Sequence, residues 1–148
     1  MTQDVANLDY QKFDSKPEFE RLIAENQMLE WAQVHGDNYY GTMLNELTRA
    51  EAEDKHLLLE IDLQGARQVV AHVPQAITIF INPPSFEELE RRLRSRATET
   101  EDQIQTRLET ARAELASAGE FQHQLTNLDL VACASAVVDL VRSHERGS

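Results

Sequence analysis

The amino-acid sequence predicts an α/β domain with a largely parallel sheet. Two short apolar runs, at residues 57–63 and 76–81, have the length and composition of strands buried on both faces. Segments with helical periodicity lie before, between and after them, and several begin at a serine or threonine that can cap a helix. Strands that alternate with helices are typical of α/β proteins, in which the sheet is mainly parallel.

The composition predicts one globular domain and excludes several kinds of partner. The chain has 148 residues, of which 41% are hydrophobic and 27% are charged, as in an ordinary soluble domain. No apolar run is long enough to cross a bilayer, so we expect no membrane partner. The formal net charge of −12 opposes binding to polymeric nucleic acid. A single cysteine, Cys133, excludes an internal disulfide and indicates a cytoplasmic location.

In the first third of the chain, the predicted elements are a helix, a strand and a second helix. Ser15 is placed to cap the first helix, and residues 28–34 alternate as in a strand. Thr42 is placed to cap a helix that runs through Glu53. Residues 1–14 show no strand-like apolar run.

The apolar run at 57–63 carries two acidic residues that a buried strand has no reason to hold. Glu60 and Asp62 are two residues apart, so both side chains project to the same face near the carboxyl end. In open α/β sheets, ligands bind at that end. The alternative is that both acids lie beyond the buried part, in water. A helix over 65–72 follows, and the pair Val69–Val70 is expected to face inward.

The second half of the chain predicts three further helices and two strands. Ser85 and Thr100 precede two of the helices at positions where a hydroxyl can cap the first turn. The predicted elements, in order, are a strand at 76–81, helices at 86–95 and 101–118, a weak strand at 124–130 and a helix at 131–144.

Three arginines have the spacing of a mobile phosphate clamp. Arg92 and Arg96 are four residues apart on one helix face, and Arg107 follows in the next helix after an acidic connector. Arginine binds phosphate oxygens bidentately and keeps its charge, and mobile arginines recur in phosphoryl transfer. The alternative is a solvated helix with ion pairs to neighbouring acids. Those acids are Glu87, Glu88 and Glu90.

A carboxylate and a segment rich in hydroxyl groups form a second candidate site. Glu30 is a natural acceptor for the paired N–H donors of a guanine base. The hydroxyl groups of Tyr40 and Thr42 suit a phosphate at the other end of a nucleotide. The alternative is a half-buried strand followed by a tight turn. The five histidines show no metal-ligand spacing, so the metal ligands stay open.

Taken together, several segments resemble the guanylate kinase family. They occur in the family's order and at roughly its spacing, from about Tyr10 to the end. The segments are Glu30–Gln33, Asn38–Thr42, Leu59–Gly65, Pro83–Ser85, Arg91–Arg96 and Thr98–Glu101. The resemblance implies a P-loop kinase-like fold with helices on both faces of a parallel sheet. It also implies transfer of the γ-phosphoryl group of ATP to GMP with Mg²⁺.

The resemblance also implies roles for individual residues within one domain, 1–148. It implies a GMP-binding region at about 10–48 and a helical lid at about 85–115. Glu30 and Asp62 would contact guanine. The implied substrate-binding residues are Tyr10, Glu30, Tyr40, Thr42, Glu60 and Asp62. The implied catalytic residues are the lid arginines Arg92, Arg96 and Arg107, and Asn127 would lie near the adenine of ATP.

The sequence departs from the family's pattern at the phosphate-binding loop. That loop has the form G-x-x-x-x-G-K-[ST], but no glycine here is followed by Lys-Ser or Lys-Thr. We therefore expect a fold without the P-loop strand and first helix, and an N-terminally truncated kinase that is inactive alone and binds ATP poorly. The alternative is a catalytically dead module that binds a nucleotide or a protein partner. Because losing an interior strand exposes sheet edges, a homodimer or a strand-donating partner is expected.

Overall fold

The computed structural model describes residues 5–6, 11–13, 15–34 and 38–146. The chain divides into two compact units, Met1–Ala76 and Ile77–Ser148. The α/β prediction is confirmed, because helices alternate with strands that form parallel pairs. None of the helices in the described ranges is long and apolar enough to cross a bilayer. The predicted single domain and the cytoplasmic location stay predictions.

The first unit contains parallel and antiparallel strands. Its elements are β1 (Val5–Ala6), β2 (Gln11–Phe13), α1 (Lys16–Ala24), β3 (Met28–Val34), β4 (Asn38–Met43), α2 (Leu44–Ala52), β5 (His56–Leu57) and α3 (Leu63–His72). β1 pairs with β5 in parallel, and an antiparallel sheet has the order β2-β4-β3. Residues 1–14 show no strand-like apolar run, yet they contribute β1 and β2. β1 has two residues and β2 has three, too few to show an apolar pattern of their own. They are recognised as strands because β1 pairs with β5 and β2 pairs with β4.

The core of the first unit forms where α1 covers one face of the antiparallel sheet. The Ser15 hydroxyl accepts a hydrogen bond from the backbone N–H of Glu18 at 3.4 Å, so this helix begins as predicted. Phe19 on α1 is completely buried. Its ring centroid lies 4.8 Å from that of Tyr39 and 5.7 Å from that of Trp31. These aromatic contacts fix which face of the sheet is apolar.

The predicted start of the second helix is wrong. Thr42 does not cap a helix: it lies inside β4, and α2 begins at Leu44 with Met43 as its N-cap residue. The ladder with β3 keeps this backbone extended as far as Met43, which pairs with Met28.

The run at 57–63 is not a strand buried on both faces. Only His56–Leu57 is a strand, and Leu58 is 58% exposed. β1 offers two residues for pairing, and α3 begins at Leu63, so little of the run lies in a ladder. On α3, Val69 is buried as predicted, whereas Val70 is 39% exposed.

The second unit packs three helices with one parallel strand pair. Its elements are β6 (Ile79–Asn82), α4 (Phe86–Ser95), α5 (Glu101–Ala116), a 3₁₀ turn (Ala118–Glu120), β7 (His123–Thr126) and α6 (Leu130–Arg146). The three predicted helices are confirmed within two residues at each end. The strands are shorter than predicted, and Ile81 is 44% exposed, so β6 is not buried on both faces. Ile104, Leu108 and Ala118 form its buried positions.

Candidate functional site

The polar side chains predicted in the first unit share one face of the β3–β4 pair. Glu30 lies opposite Thr42, and Ala32 lies opposite Tyr40. Alternate residues of a strand project to the same face, so Glu30, Tyr40 and Thr42 lie on one side. Tyr39 lies on the other side, which packs against α1. The period-two pattern thus separates an apolar face from a face with polar groups.

Glu30 and Thr42 form a buried polar pair at the centre of this face. Each is only 1% exposed, and the Thr42 hydroxyl donates a 2.7 Å hydrogen bond to Oε1 of Glu30. Burial raises the pKa of the Glu30 carboxyl above its ordinary value, and the negative charge of Asp62 adds to the rise. The hydrogen bonds from Thr42 oppose that rise. A buried carboxylate with a raised pKa is characteristic of functional sites.

The start of α3 brings a second carboxylate to Glu30. Asp62 is the N-cap residue, and its Oδ1 accepts a 2.7 Å hydrogen bond from the backbone N–H of Gly65. A Cβ atom on Gly65 would lie 3.2 Å from both Asp62 Oδ1 and Glu30 Oε2. Because Gly65 has no side chain, both carboxylates can lie close to the backbone of the first turn of α3. The structure brings together Glu30, Thr42 and Asp62, which the sequence placed 32 residues apart at most.

A contact that the sequence did not predict lies next to this pair. The side-chain Nε2 of Gln68 donates to the backbone oxygen of Trp31 at 2.9 Å. The backbone N–H of Trp31 donates to Oε1 of Gln68 at 3.0 Å. Gln68 lies three residues after Gly65, on the same helix face, but that spacing alone does not indicate which backbone it meets.

The other predicted substrate-binding residues have different surroundings. Tyr40 is partly buried on the face that carries Glu30, and Glu60 is exposed. Tyr10 lies outside the described residues. Roles for Tyr10, Tyr40 and Glu60 in binding stay predictions.

In the second unit, two of the three predicted lid arginines have carboxylate partners. Arg92 Nε lies 3.1 Å from Glu88 Oε1, and Arg107 Nη2 lies 2.7 Å from Glu99 Oε1. Arg96 follows α4 directly and is exposed. Ion pairs with neighbouring acids were the alternative interpretation of this segment, and they are present. A catalytic role for these arginines stays a prediction.

Arg94, to which the sequence assigned no role, connects the two helices of this segment. Its guanidinium bonds Glu90 on α4 and both carboxylate oxygens of Glu101 at the start of α5. Between the helices, Ala97 has a φ of 53°, a conformation that L-residues rarely adopt. Hydrogen bonding to Arg94 lowers the pKa of the Glu101 carboxyl to about 2. The corner between α4 and α5 is thus held by charge and shaped by a strained residue.

Asn127 directly follows β7, and its backbone N–H donates to the backbone oxygen of Asn82 at 2.9 Å. That bond extends the β6–β7 ladder by one residue. Proximity of Asn127 to adenine stays a prediction. Among the described residues, no group of three or more His, Cys, Asp and Glu side chains has the arrangement of a metal site.

Comparison with known proteins gives consistent matches. A family model described as guanylate kinase matches residues 2–144. The chain is 52% identical over 124 residues to guanylate kinase 1 of Oryza sativa subsp. japonica, with 82% of this chain and 32% of that protein covered. It is 50% identical over 127 residues to guanylate kinase of Thermosynechococcus vestitus, with coverages of 86% and 65%. For guanylate kinase of Corynebacterium jeikeium, the identity is 43% over 129 residues, with coverages of 86% and 69%.

A solved structure agrees with these matches. The crystal structure of guanylate kinase from Anaplasma phagocytophilum superposes with a TM-score of 0.70 at 29% identity, covering 89% of this chain and 63% of that one. The similarity defines the chain as an α/β protein with a P-loop kinase fold. The chain belongs to the guanylate kinase family. It spans 32% of the plant relative and 65% and 69% of the two bacterial ones.

Proposed function

We propose that this chain binds GMP, with the guanine base held by Glu30 and Asp62. The observation that carries the proposal is the buried Glu30 carboxyl, which has a raised pKa and lies close to the Asp62 carboxylate. Burying one carboxylate next to a second negative charge costs folding free energy, and carboxyl groups perturbed in this way are common at binding sites. The paired N–H donors of guanine complement carboxylate oxygens. Relatives named guanylate kinase support the choice of GMP.

Thr42 holds Glu30 in place for this role. Its hydroxyl bonds Oε1, and Oε2 lies on the side of the carboxylate near Gly65. Because 1% of Glu30 is exposed, a ligand reaches this carboxylate only after neighbouring groups move. In this proposal Tyr10, Tyr40 and Glu60 lie along the nucleotide towards its phosphate.

We propose that the arginines of the second unit serve phosphoryl transfer from ATP to GMP in a complete kinase. On nucleotide binding, these side chains would leave their present contacts with carboxylates or solvent and bind phosphate oxygens. The planar guanidinium group of arginine can bind two such oxygens at once. The arginines are Arg92, Arg96 and Arg107. ATP with Mg²⁺ is the phosphoryl donor that the family uses, and Asn127 is assigned to the adenine side. We derive no metal ligands, since the described residues offer no three-carboxylate or histidine cluster.

This chain alone is proposed to have little or no kinase activity. None of its five glycines is followed by Lys-Ser or Lys-Thr, so the sequence holds no loop of the G-x-x-x-x-G-K-[ST] form. Such a loop supplies the backbone N–H groups and the lysine that hold the β- and γ-phosphates. Activity therefore requires a P-loop from residues outside these 148.

Calorimetric titration with GMP tests the binding proposal. We expect binding that is detectable at about 1 mM GMP or below. Glu30→Ala and Asp62→Ala should each weaken it by about 1–3 kcal/mol, because a charge-assisted hydrogen bond is lost. Glu51→Ala is the control, since Glu51 is an exposed acid on α2 of the same unit and its loss changes the charge equally. No heat of binding at millimolar GMP would remove the proposal.

A second candidate is a catalytically dead module that binds a nucleotide or a protein partner. The exposure of Leu58 beside the two-residue β5 favours a further strand at this edge, from a second copy or a partner. Light scattering at micromolar concentration tests this candidate. A stable monomer would contradict the homodimer, and GMP binding without phosphoryl transfer after a P-loop segment is supplied would favour the dead module.

A further inference from the structure

β3 is the terminal strand of the antiparallel sheet, so one row of its backbone groups faces away from β4. Unpaired N–H and C=O groups at such an edge need partners. At Trp31 both groups are bonded by one side chain, the amide of Gln68, at 3.0 and 2.9 Å. A carboxamide carries a donor and an acceptor in the same relation as a peptide group. Gln68 therefore replaces one residue of a neighbouring strand.

The face of α3 that carries Gln68 also lies against the candidate site, in the first turn of the helix. Gly65 lies three residues before Gln68, and its ideal Cβ position is 3.2 Å from Glu30 Oε2. Glu30 directly precedes Trp31 in the chain. Gln68 therefore holds the backbone of β3 at Trp31, directly next to Glu30, and the Glu30 carboxylate lies close to the start of α3. Val69 adds apolar packing, but apolar packing does not fix a position along the strand as two directional bonds do.

We infer that Gln68 is a positioning residue for guanine recognition: by bonding both backbone groups of Trp31, it fixes the start of α3, and with it Asp62, relative to Glu30. The inference rests on the proposed GMP site. Recognition of a base by two carboxylates depends on the spacing of their oxygens, and supporting contacts must hold such groups within about 0.5 Å. Without the amide, water would bond Trp31, and α3 could shift along the strand edge.

The first test needs no ligand and uses the full chain. The pKa of the Glu30 carboxyl is measured by ¹³C NMR with and without Asp62→Asn, a change that removes the neighbouring charge and keeps a capping oxygen. We expect Asp62→Asn to lower this pKa in the otherwise native chain. In the Gln68→Leu variant, Asp62→Asn should lower the Glu30 pKa by less than about half as much as in the native chain, because the two carboxylates are no longer held close together. An undiminished lowering would overturn the inference.

Gln64→Leu is the matched control for this test. Gln64 is exposed on the same helix, so the substitution makes the same chemical change without touching β3. It should leave the coupling between Glu30 and Asp62 as in the native chain. Emission from Trp31, the single tryptophan, checks that each variant is folded. If Gln68→Leu does not fold, Gln68→Asn takes its place, since it keeps the amide but is too short to form both bonds.

The second test measures specificity. The ratio of the dissociation constants for IMP, which lacks the exocyclic amino group of guanine, and for GMP is compared between the native chain and Gln68→Leu. We expect the ratio to fall by about tenfold, because misplaced carboxylates lose contact with that group. A variant that is merely less folded would weaken both ligands equally and leave the ratio unchanged, which would overturn the inference. If the native chain binds no GMP, the proposed function fails, and the NMR coupling still decides whether Gln68 positions Asp62.

Discussion

The Thr42 hydroxyl donates a 2.7 Å hydrogen bond to Oε1 of Glu30, and the two residues lie opposite each other on paired strands. Both are almost completely buried. Hydrogen bonds from the hydroxyl and the backbone of Thr42 do not replace the full hydration of a carboxylate, so the ionised form of Glu30 is disfavoured in the folded chain. The buried charge of Glu30 should therefore lower the stability of the fold while strengthening the proposed binding of GMP.

The substitution Glu30→Gln should stabilise the chain and weaken GMP binding. Removing the buried charge should raise the free energy of unfolding at pH 7 by about 1 kcal/mol or more. The amide oxygen can still accept from Thr42. Binding should weaken by about 1–3 kcal/mol, because a charged acceptor is lost. Urea unfolding followed by Trp31 fluorescence and calorimetry with GMP measure the two effects.

The stability gain should depend on pH with a defined sign. The raised pKa means that folded Glu30 holds its proton more tightly than the unfolded chain does. Its unfavourable contribution therefore appears as pH rises through the folded pKa, and it is absent in acid. The advantage of Glu30→Gln should shrink as pH falls. An advantage that grows towards acid would contradict the assignment of the raised pKa to Glu30.

Gly41→Ala should destabilise the first unit. A Cβ at Gly41 would lie 2.6 Å from the backbone oxygen of Glu30 and 3.1 Å from the Cβ of Trp31. The backbone of β3 would have to move, which should cost about 1–3 kcal/mol. Gly119→Ala is the control, because nothing lies within 4 Å of its ideal Cβ position. Urea unfolding followed by circular dichroism measures both variants, and equal changes in the two would be inconsistent with crowding at Gly41.

Ala97→Gly should stabilise the second unit. Ala97 has a φ of 53°, in the left-handed region. Glycine would remove a strain of about 1–2 kcal/mol, and its greater freedom in the unfolded chain would cost about 0.4–1 kcal/mol. The net gain should be about 0.5–1 kcal/mol, measured by hydrogen exchange of amides in α4 and α5. Ala113→Gly, an exposed position within α5, should instead cost about 1 kcal/mol.

The corner between α4 and α5 should weaken in acid. Arg91 and Arg92 lower the pKa of Glu88 to about 2, and Arg94 lowers that of Glu101 to about 2. Depressed pKa values contribute stability that is complete above the ordinary value near 4.5 and is lost as pH falls towards 2. Carboxyl ¹³C titration should show both values, and Arg94→Gln should return the Glu101 pKa towards its ordinary value. These groups are exposed or partly exposed to solvent, so 1 M salt should reduce both shifts, and shifts that are insensitive to salt would contradict surface ion pairing.

Local features were predictable because they depend on residues a few positions apart. Ser85 and Thr100 accept hydrogen bonds from the backbone N–H groups three residues later, and their helices begin where the sequence indicated. The family, and with it the fold class, was recognisable from ordered short segments. The roles of the individual site residues followed from that resemblance and stay predictions.

Tertiary structure decided what pairs across long stretches of chain. β1 and β2 are recognisable as strands only through their partners, and the apolar run after His56 proved mostly unpaired. The chain by itself determined which side chains were available: acids, arginines and capping hydroxyls at readable positions. Only the folded backbone determined that Gln68 meets Trp31, because a hydrogen bond between residues 37 positions apart depends on how a helix packs on a sheet edge and not on local sequence.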